Sequence, residues 1–212
     1  MILRRGWLVL FGVTIVLCCV GDVFPQEMSQ EWKWCEGLDG ASADLRISGC
    51  TTVIQSGRET PENLAIAFYN RGKAYSDKGD QDRAIQDYDQ AIRLNPQNAS
   101  YWNNRCWARA LAGQLDRALA DCNESLRLRP GDVNTLDSRA LVYLKSGRLE
   151  SAISDYDEAL RLDVKKASSL YGRGLAKQKK GDAIGAAADI AAAKAIEADI
   201  ADKFNSFGVQ LR

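Results

Sequence analysis

The sequence predicts an all-α fold, a solenoid of antiparallel helix pairs, and three observations predict it. Laid on itself with a shift of 34 residues, the chain brings whole columns into agreement. Gly79, Gly113, Gly147 and Gly181 form one column, and Ala84, Ala118, Ala152 and Ala186 another. Asp87, Asp121, Asp155 and Asp189 form a third, and Arg71, Arg105, Arg139 and Arg173 a fourth. Each period carries two blocks of apolar residues at the i, i+4, i+7 spacing of a helix face. The glycine column separates the two blocks. Pro96 and Pro130 close the first two periods, although Val164 and Ala198 break that column.

The elements follow in chain order. Residues 1–21, MILRRGWLVLFGVTIVLCCVG, join Arg4 and Arg5 to an uncharged apolar run of 16 residues, Gly6 to Gly21, ahead of Asp22. That is the pattern of a signal peptide, and the run is shorter than the ~20 residues that cross a bilayer as a helix. Export to the periplasm or out of the cell is expected. Lipid attachment at Cys18 or Cys19, or retention of the segment as a membrane tether, is the alternative, although Leu17 is bulky for a lipidation site. Residues 22–34 carry no clear pattern and are expected to be partly disordered. Leu45, Ile47, Cys50, Val53 and Ile54 make 42–57 resemble the second helix of a unit that lacks its first. Residues 22–64 are thus an N-terminal segment with a cap helix.

Thr60 and Pro61 supply an N-cap and a first-turn proline. In the helix that follows, Phe68, Gly72 and Tyr75 share one face. Gly79 can turn left-handed at its end, and Asp80 or Asp82 can cap the next helix. Ala84, Tyr88, Ala91 and Leu94 then line one face of the second helix, which stops before Pro96. Small residues opposite rings let two helices approach closely, and stacking several such hairpins buries what one cannot. At the far end Ile200, Phe204 and Phe207 recur at i, i+4, i+7, so a C-terminal capping helix continuing through 201–212 is expected to shield the last repeat.

Phe68, Gly72, Tyr75, Ala84, Tyr88, Ala91 and Pro96 fall on the seven consensus small and large places of the tetratricopeptide repeat, a family the chain resembles. The resemblance covers four units, 65–98, 99–132, 133–166 and 167–200, about two thirds of the chain. The Arg-Gly-x-Ala-Tyr and Asp-Tyr-Asp-x-Ala-Ile wording of the first unit is similar to small secreted bacterial members of alphaproteobacterial type. Later units drift. Arg109 replaces an aromatic, Cys106 and Cys122 take a small and an aromatic place, and the fourth unit is rich in alanine. The resemblance implies a right-handed superhelical solenoid of antiparallel helix pairs. It also implies a generic function, a peptide-binding or assembly scaffold.

Composition narrows the function. Lys and Arg total 28, as do Asp and Glu, so no strong field favours a nucleic acid, and removing residues 1–21 leaves 26 basic against 28 acidic groups. Histidine is absent, which removes the commonest general base and metal ligand. The Arg and Asp columns read as a structural ladder, because a catalytic site needs unlike groups converging once, not one pair repeated in every unit. Arg71 with Asp87, and the equivalents, are expected near the seam between helices; an exposed pair would contribute only ~0–1 kcal/mol. No catalytic residue, metal ligand, cofactor or small-molecule substrate is assigned. The non-catalytic adaptor reading therefore leads. A tethered envelope assembly factor or an accessory subunit of an enzyme complex stands as the alternative, with membrane contact only through a retained or lipidated N-terminal segment.

Beyond the signal segment stand Cys35, Cys50, Cys106 and Cys122, an even number in an exported chain. Cys106 and Cys122 have their midpoint at residue 114, beside the turn at Gly113, so antiparallel helices bring them level. Other units place Gly72 with Tyr88, Ala140 with Tyr156 and Gly174 with Ile190 there. A Cys106–Cys122 bridge is expected, which leaves Cys35 for Cys50; each would contribute ~3 kcal/mol in the chain-entropy picture. Four buried free thiols are the alternative, and zinc has less support without histidine or a tight Cys-x-x-Cys.

In the family the first helix of each hairpin lines the concave side. That implies a partner groove along two columns: Tyr69, Asn103, Asp137 and Tyr171, then Lys73, Trp107, Leu141 and Leu175. Trp107 lies about 140° around its helix from Trp102, a core position. Either these side chains make an apolar strip with a polar rim for a partner, or they pack on one another and on the terminal helix. The first reading expects Trp107→Ala to cost under ~1 kcal/mol of stability but ~2 kcal/mol of binding. Some family members clamp the carboxylate end of chaperone peptides with lysine, asparagine and arginine. The matching places hold Tyr69 and Lys73, Asn104, and Asn134 and Ser138, of which only Asn104 agrees, so chaperone tails are a poor candidate.

Overall fold

A computed structural model describes residues 28–209. The signal segment expected at 1–21 lies outside the described residues, as do 22–27 and 210–212. Among those described, every regular element is helical. In order they are α1 (Gln30–Glu36), a 3-10 turn (Leu38–Gly40), α2 (Ala43–Gln55), α3 (Pro61–Asp77), α4 (Gln81–Leu94), α5 (Ala99–Leu111) and α6 (Leu115–Leu128). Then come α7 (Val133–Lys145), α8 (Leu149–Leu162), α9 (Ala167–Lys179), α10 (Ala183–Ile196) and α11 (Ile200–Ser206).

Consecutive helices pack as hairpins, and each second helix packs on the first helix of the following unit. First helices also touch one another, α3 on α5, α5 on α7 and α7 on α9, whereas second helices do not. A stack whose first helices are mutual neighbours and whose second helices are apart curves toward the first helices. The result is a helical-repeat solenoid with a concave face built from α3, α5, α7 and α9.

Local chemistry accounts for the hairpin. Thr60 caps α3 by accepting the Asn63 N–H at 3.2 Å, with Pro61 in the first turn. Gly79, Gly113, Gly147 and Gly181 end the first helices with φ between +74° and +91°, a conformation that L side chains rarely adopt. Asp80 and Asp182 cap the helices that follow. Ala84, Tyr88 and Ala91 are buried as expected, but Leu94 is exposed, because α4 ends there; Ile85 and Ile92 complete the buried face toward the next unit. Gly72 is required by the ring opposite, since a Cβ there would sit 2.8 Å from Tyr88 Cε1.

The charged columns form a ladder inside the seam. Each arginine donates Nε and Nη2 to both oxygens of the aspartate 16 residues on, at 2.6–2.9 Å: Arg71 to Asp87, Arg105 to Asp121, Arg139 to Asp155, Arg173 to Asp189. The third donor, Nη1, reaches back to the preceding unit, to Thr51, Asp89, Asn123 and Asp157 respectively. The aspartates are only 2–8% exposed, so these are not surface pairs. Where the consensus aromatic is kept, Arg71 and Arg139 lie over the rings of Tyr75 and Tyr143. Where it is lost, Arg109 and Lys177 add a second cation to Asp121 and Asp189, at 2.7 and 2.8 Å.

Both bridges are present, Cys35–Cys50 and Cys106–Cys122, with Cα atoms 4.5 and 5.4 Å apart. The N-terminal segment departs from the sequence expectation. α1 is the missing first helix, capped by Ser29 and stapled to α2 through Cys35. Gly49 lets the two meet, since a Cβ there would sit 2.6 Å from the Glu31 carbonyl oxygen.

Candidate functional site

The two columns assigned to the groove lie on the concave face, and the structure divides them. Toward the N-terminal end stand Tyr69, Lys73 and Asn103, each half-buried. The Tyr69 ring lies 4.9 Å from that of Tyr101, the Lys73 ammonium stands 5.6 Å from the Tyr69 ring centre, and the Asn104 amide donates to the Tyr69 hydroxyl at 3.3 Å. Burial, with Tyr101 beside it, raises the Tyr69 phenol above its ordinary range, so Tyr69 offers a neutral hydroxyl. Asn103 has a shielded side-chain oxygen with no hydrogen-bond partner among the described residues.

Toward the C-terminal end the columns join the core. Leu141, Tyr171 and Leu175 are buried with Phe204, Ile200 and Val209, and half-buried Trp107 packs against them. Trp107 meets Phe207 edge to face at 4.9 Å, and Tyr171 meets Phe204 at the same distance. The chain's own C-terminal segment therefore seats on this half. Asp137, of the same column, is also buried; it accepts the Ser169 hydroxyl at 2.5 Å, and desolvation pushes its carboxyl above the usual range.

The clamp places carry other duties. Besides Tyr69, the Asn104 amide donates to the Ser100 carbonyl, Asn134 Oδ1 accepts from Lys166, and the Ser138 hydroxyl donates to the Asn134 carbonyl. The backward arm of each ladder arginine escaped sequence reasoning. Packing on the terminal helix was one of the two alternatives for the groove columns, and it holds for their C-terminal half; a further signal is that Ala201, Phe204 and Gly208 continue the columns of Ala65, Phe68 and Gly72 into a fifth unit.

Stacked hairpins, a concave face of first helices and a ladder along the seam define a helical-repeat scaffold. The family model described as "Tetratricopeptide repeat" matches residues 65–98, and that described as "TPR repeat" matches 140–181. The chain thus carries tetratricopeptide repeats over those residues. No curated protein sequence matches it. Among solved structures it is similar to MamA from Desulfovibrio magneticus RS-1, at 20% identity and a TM-score of 0.65, over 81% of this chain and 98% of that one. It is also similar to YrrB, described as a TPR protein with an unusual peptide-binding site, at 18% identity and TM-score 0.57, over 74% of this chain and 79% of that one. A third is the first TPR of Spaghetti (RPAP3) bound to the HSP90 peptide SRMEEVD, at 22% identity and TM-score 0.54, over 57% and 95% of the two chains. At these identities the likeness is one of fold.

Proposed function

We propose that the protein is a non-catalytic adaptor that holds a segment of a partner protein in its concave groove. The observation that carries this reading is the uncovered half of the groove. There the ring of Tyr69, with a neutral hydroxyl, lies against Tyr101 and stands with the Lys73 ammonium and with half-buried Asn103. Aromatic anchors with a polar rim are the composition of interface centres. The fold supports the reading too, since YrrB and the RPAP3 domain are described with peptide sites.

Two disulfides and the apolar N-terminal run support an exported protein working in the periplasm or outside the cell. No helix among the described residues is long and apolar enough to cross a membrane. The small secreted alphaproteobacterial type remains the sub-class we assign, on the wording of the first unit.

The test is capture from a periplasmic extract with the mature chain as bait, beside a Lys73→Glu/Asn103→Ala bait of equal stability. A partner retained by the first and lost by the second supports the groove. Equal retention by both overturns it. Cell fractionation tests the location: protein confined to the cytosol with reduced thiols would contradict export.

A further inference from the structure

We propose that Ile200–Val209 is a tethered occupant of the groove, and that the partner segment which displaces it carries two aromatic side chains on one helical turn. This rests on the adaptor reading and says what the partner looks like.

The segment begins as the first helix of a fifth unit. Ala201, Phe204 and Gly208 stand 34 residues after Ala167, Leu170 and Gly174. A helix continuing in that register would carry residue 207 in the arginine column, along the seam with the second helices. Instead α11 ends at Ser206, Gly208 takes φ +74°, and the chain turns into the concave face. Phe207 lies against Trp107 of α5, three units back along the solenoid. Phe204 is 2% exposed and lies on Tyr171, while Val209, 6% exposed, closes the cluster with Leu141 and Leu175. The Lys145 ammonium, of α7, donates to the Phe207 carbonyl at 2.6 Å. This is the geometry of a bound peptide supplied by the same chain.

The occupant also defines what the groove accepts. Beneath it the lining is apolar and aromatic, and the fit consists of aromatic side chains at i and i+3 followed by a helix-end carbonyl that meets a lysine. A seven-residue helix has little stability of its own, so the segment depends on the groove to hold its shape. Its hold on the concave face is apolar contact with one hydrogen bond from Lys145, and its link to α10 is the short stretch 197–199. A tether raises the effective concentration of the occupant, which a free competitor must overcome. A partner that presents the same aromatic pair and also reaches Tyr69, Lys73 and Asn103 gains contacts that the chain's own segment lacks. Exchange is then favourable only for such a partner.

The experiment uses the full mature chain and a fluorescently labelled peptide of residues 199–209, followed by anisotropy. The Phe204→Ala/Phe207→Ala protein, its own segment weakened, is expected to bind the peptide at least tenfold more tightly than the unaltered protein. Adding Trp107→Ala should abolish that gain, and a peptide with both phenylalanines changed to serine should not bind. A double variant with unchanged helical circular dichroism and no gain in binding would overturn the proposal. Should the double variant lose its helical signal, Phe207→Ala alone makes the same comparison with the same two outcomes. A wild-type dimer in gel filtration that Phe207→Ala converts to monomer would also overturn it, by giving the segment to a second copy. Tight peptide binding by the variant with no partner captured from extracts would leave this proposal standing and count against the adaptor reading alone.

Discussion

Arg105 and Arg109 both bond to the almost fully buried carboxylate of Asp121 and both also pair with Asp89, whereas Arg139 pairs with one carboxylate among the described residues, that of Asp155. Breaking a buried pair from one side costs about 3–5 kcal/mol, since the partner charge stays desolvated and uncompensated. Asp155→Ala, which leaves Arg139 without a carboxylate, is therefore expected to destabilise by that order, and Asp121→Ala, after which Asp89 still faces both guanidinium groups, by less; urea unfolding followed at 222 nm measures both. Asp137 has the opposite electrostatics. Its folded-state pKa is raised by burial, so the protonated form is favoured in the fold; that contribution is fully present below the unfolded value of about 4 and is lost as pH rises through the folded value. Asp137→Asn keeps an acceptor for Ser169 and removes the titration, so it should raise the melting temperature at pH 7, with the gain vanishing below pH about 4. A gain that grows on acidification would contradict this. The columns made the pairing of Arg71 with Asp87 legible, because a residue recurring in every unit has a partner that recurs with it. Burial and the third hydrogen bond were not legible. They depend on how closely units stack, which the repeat length does not state.

The clearest sequence signal at the scale of elements is the substitution of Gly and Tyr by Cys106 and Cys122 in one unit alone. Both places exchanged chemistry together, and the bridge fills the space a ring occupies elsewhere. Removing the bridge by Cys106→Ser/Cys122→Ser should cost about 3 kcal/mol. Cys106→Gly/Cys122→Tyr restores the ring-on-glycine contact of the first unit, so it should recover most of that loss; thermal melts of the three proteins decide. A Gly172→Ala change should be costly for the same geometric reason, as a Cβ there would sit 2.3 Å from the Tyr156 ring and hydroxyl. Less was legible at the ends. α1 is under two turns long, too short to show a helical period, and its place is set by Cys35 and by the contact through Gly49. For α11 the apolar spacing showed a helix but not where its face would lie, because that is decided by the break at Gly208 and by Trp107 and Lys145, distant in sequence.

For the whole molecule, the consequence is a concave face with two unlike halves, one covered by the chain and one open. Packing on Phe207 raises the expected cost of Trp107→Ala above the ~1 kcal/mol estimated from sequence, toward 2 kcal/mol, because an edge-to-face pair is lost with the buried area. Trp107 therefore serves poorly as a probe of binding alone. The engaged amide of Asn104 and the engaged side chain of Asn134 argue against acidic chaperone tails, so the peptide SRMEEVD should show no saturation up to about 1 mM, weaker than about −4 kcal/mol. Whether the open half of the groove seats the partner is decided by calorimetric titration of the captured partner into four proteins. These are the unaltered chain, Lys73→Ala, Asn103→Ala and, on the exposed outer face, Arg127→Ala. The two groove variants are predicted to bind about tenfold or more weakly with unchanged melting temperatures, and Arg127→Ala to bind as the unaltered chain does. Equal affinity across all four, or a loss confined to Arg127→Ala, would contradict it.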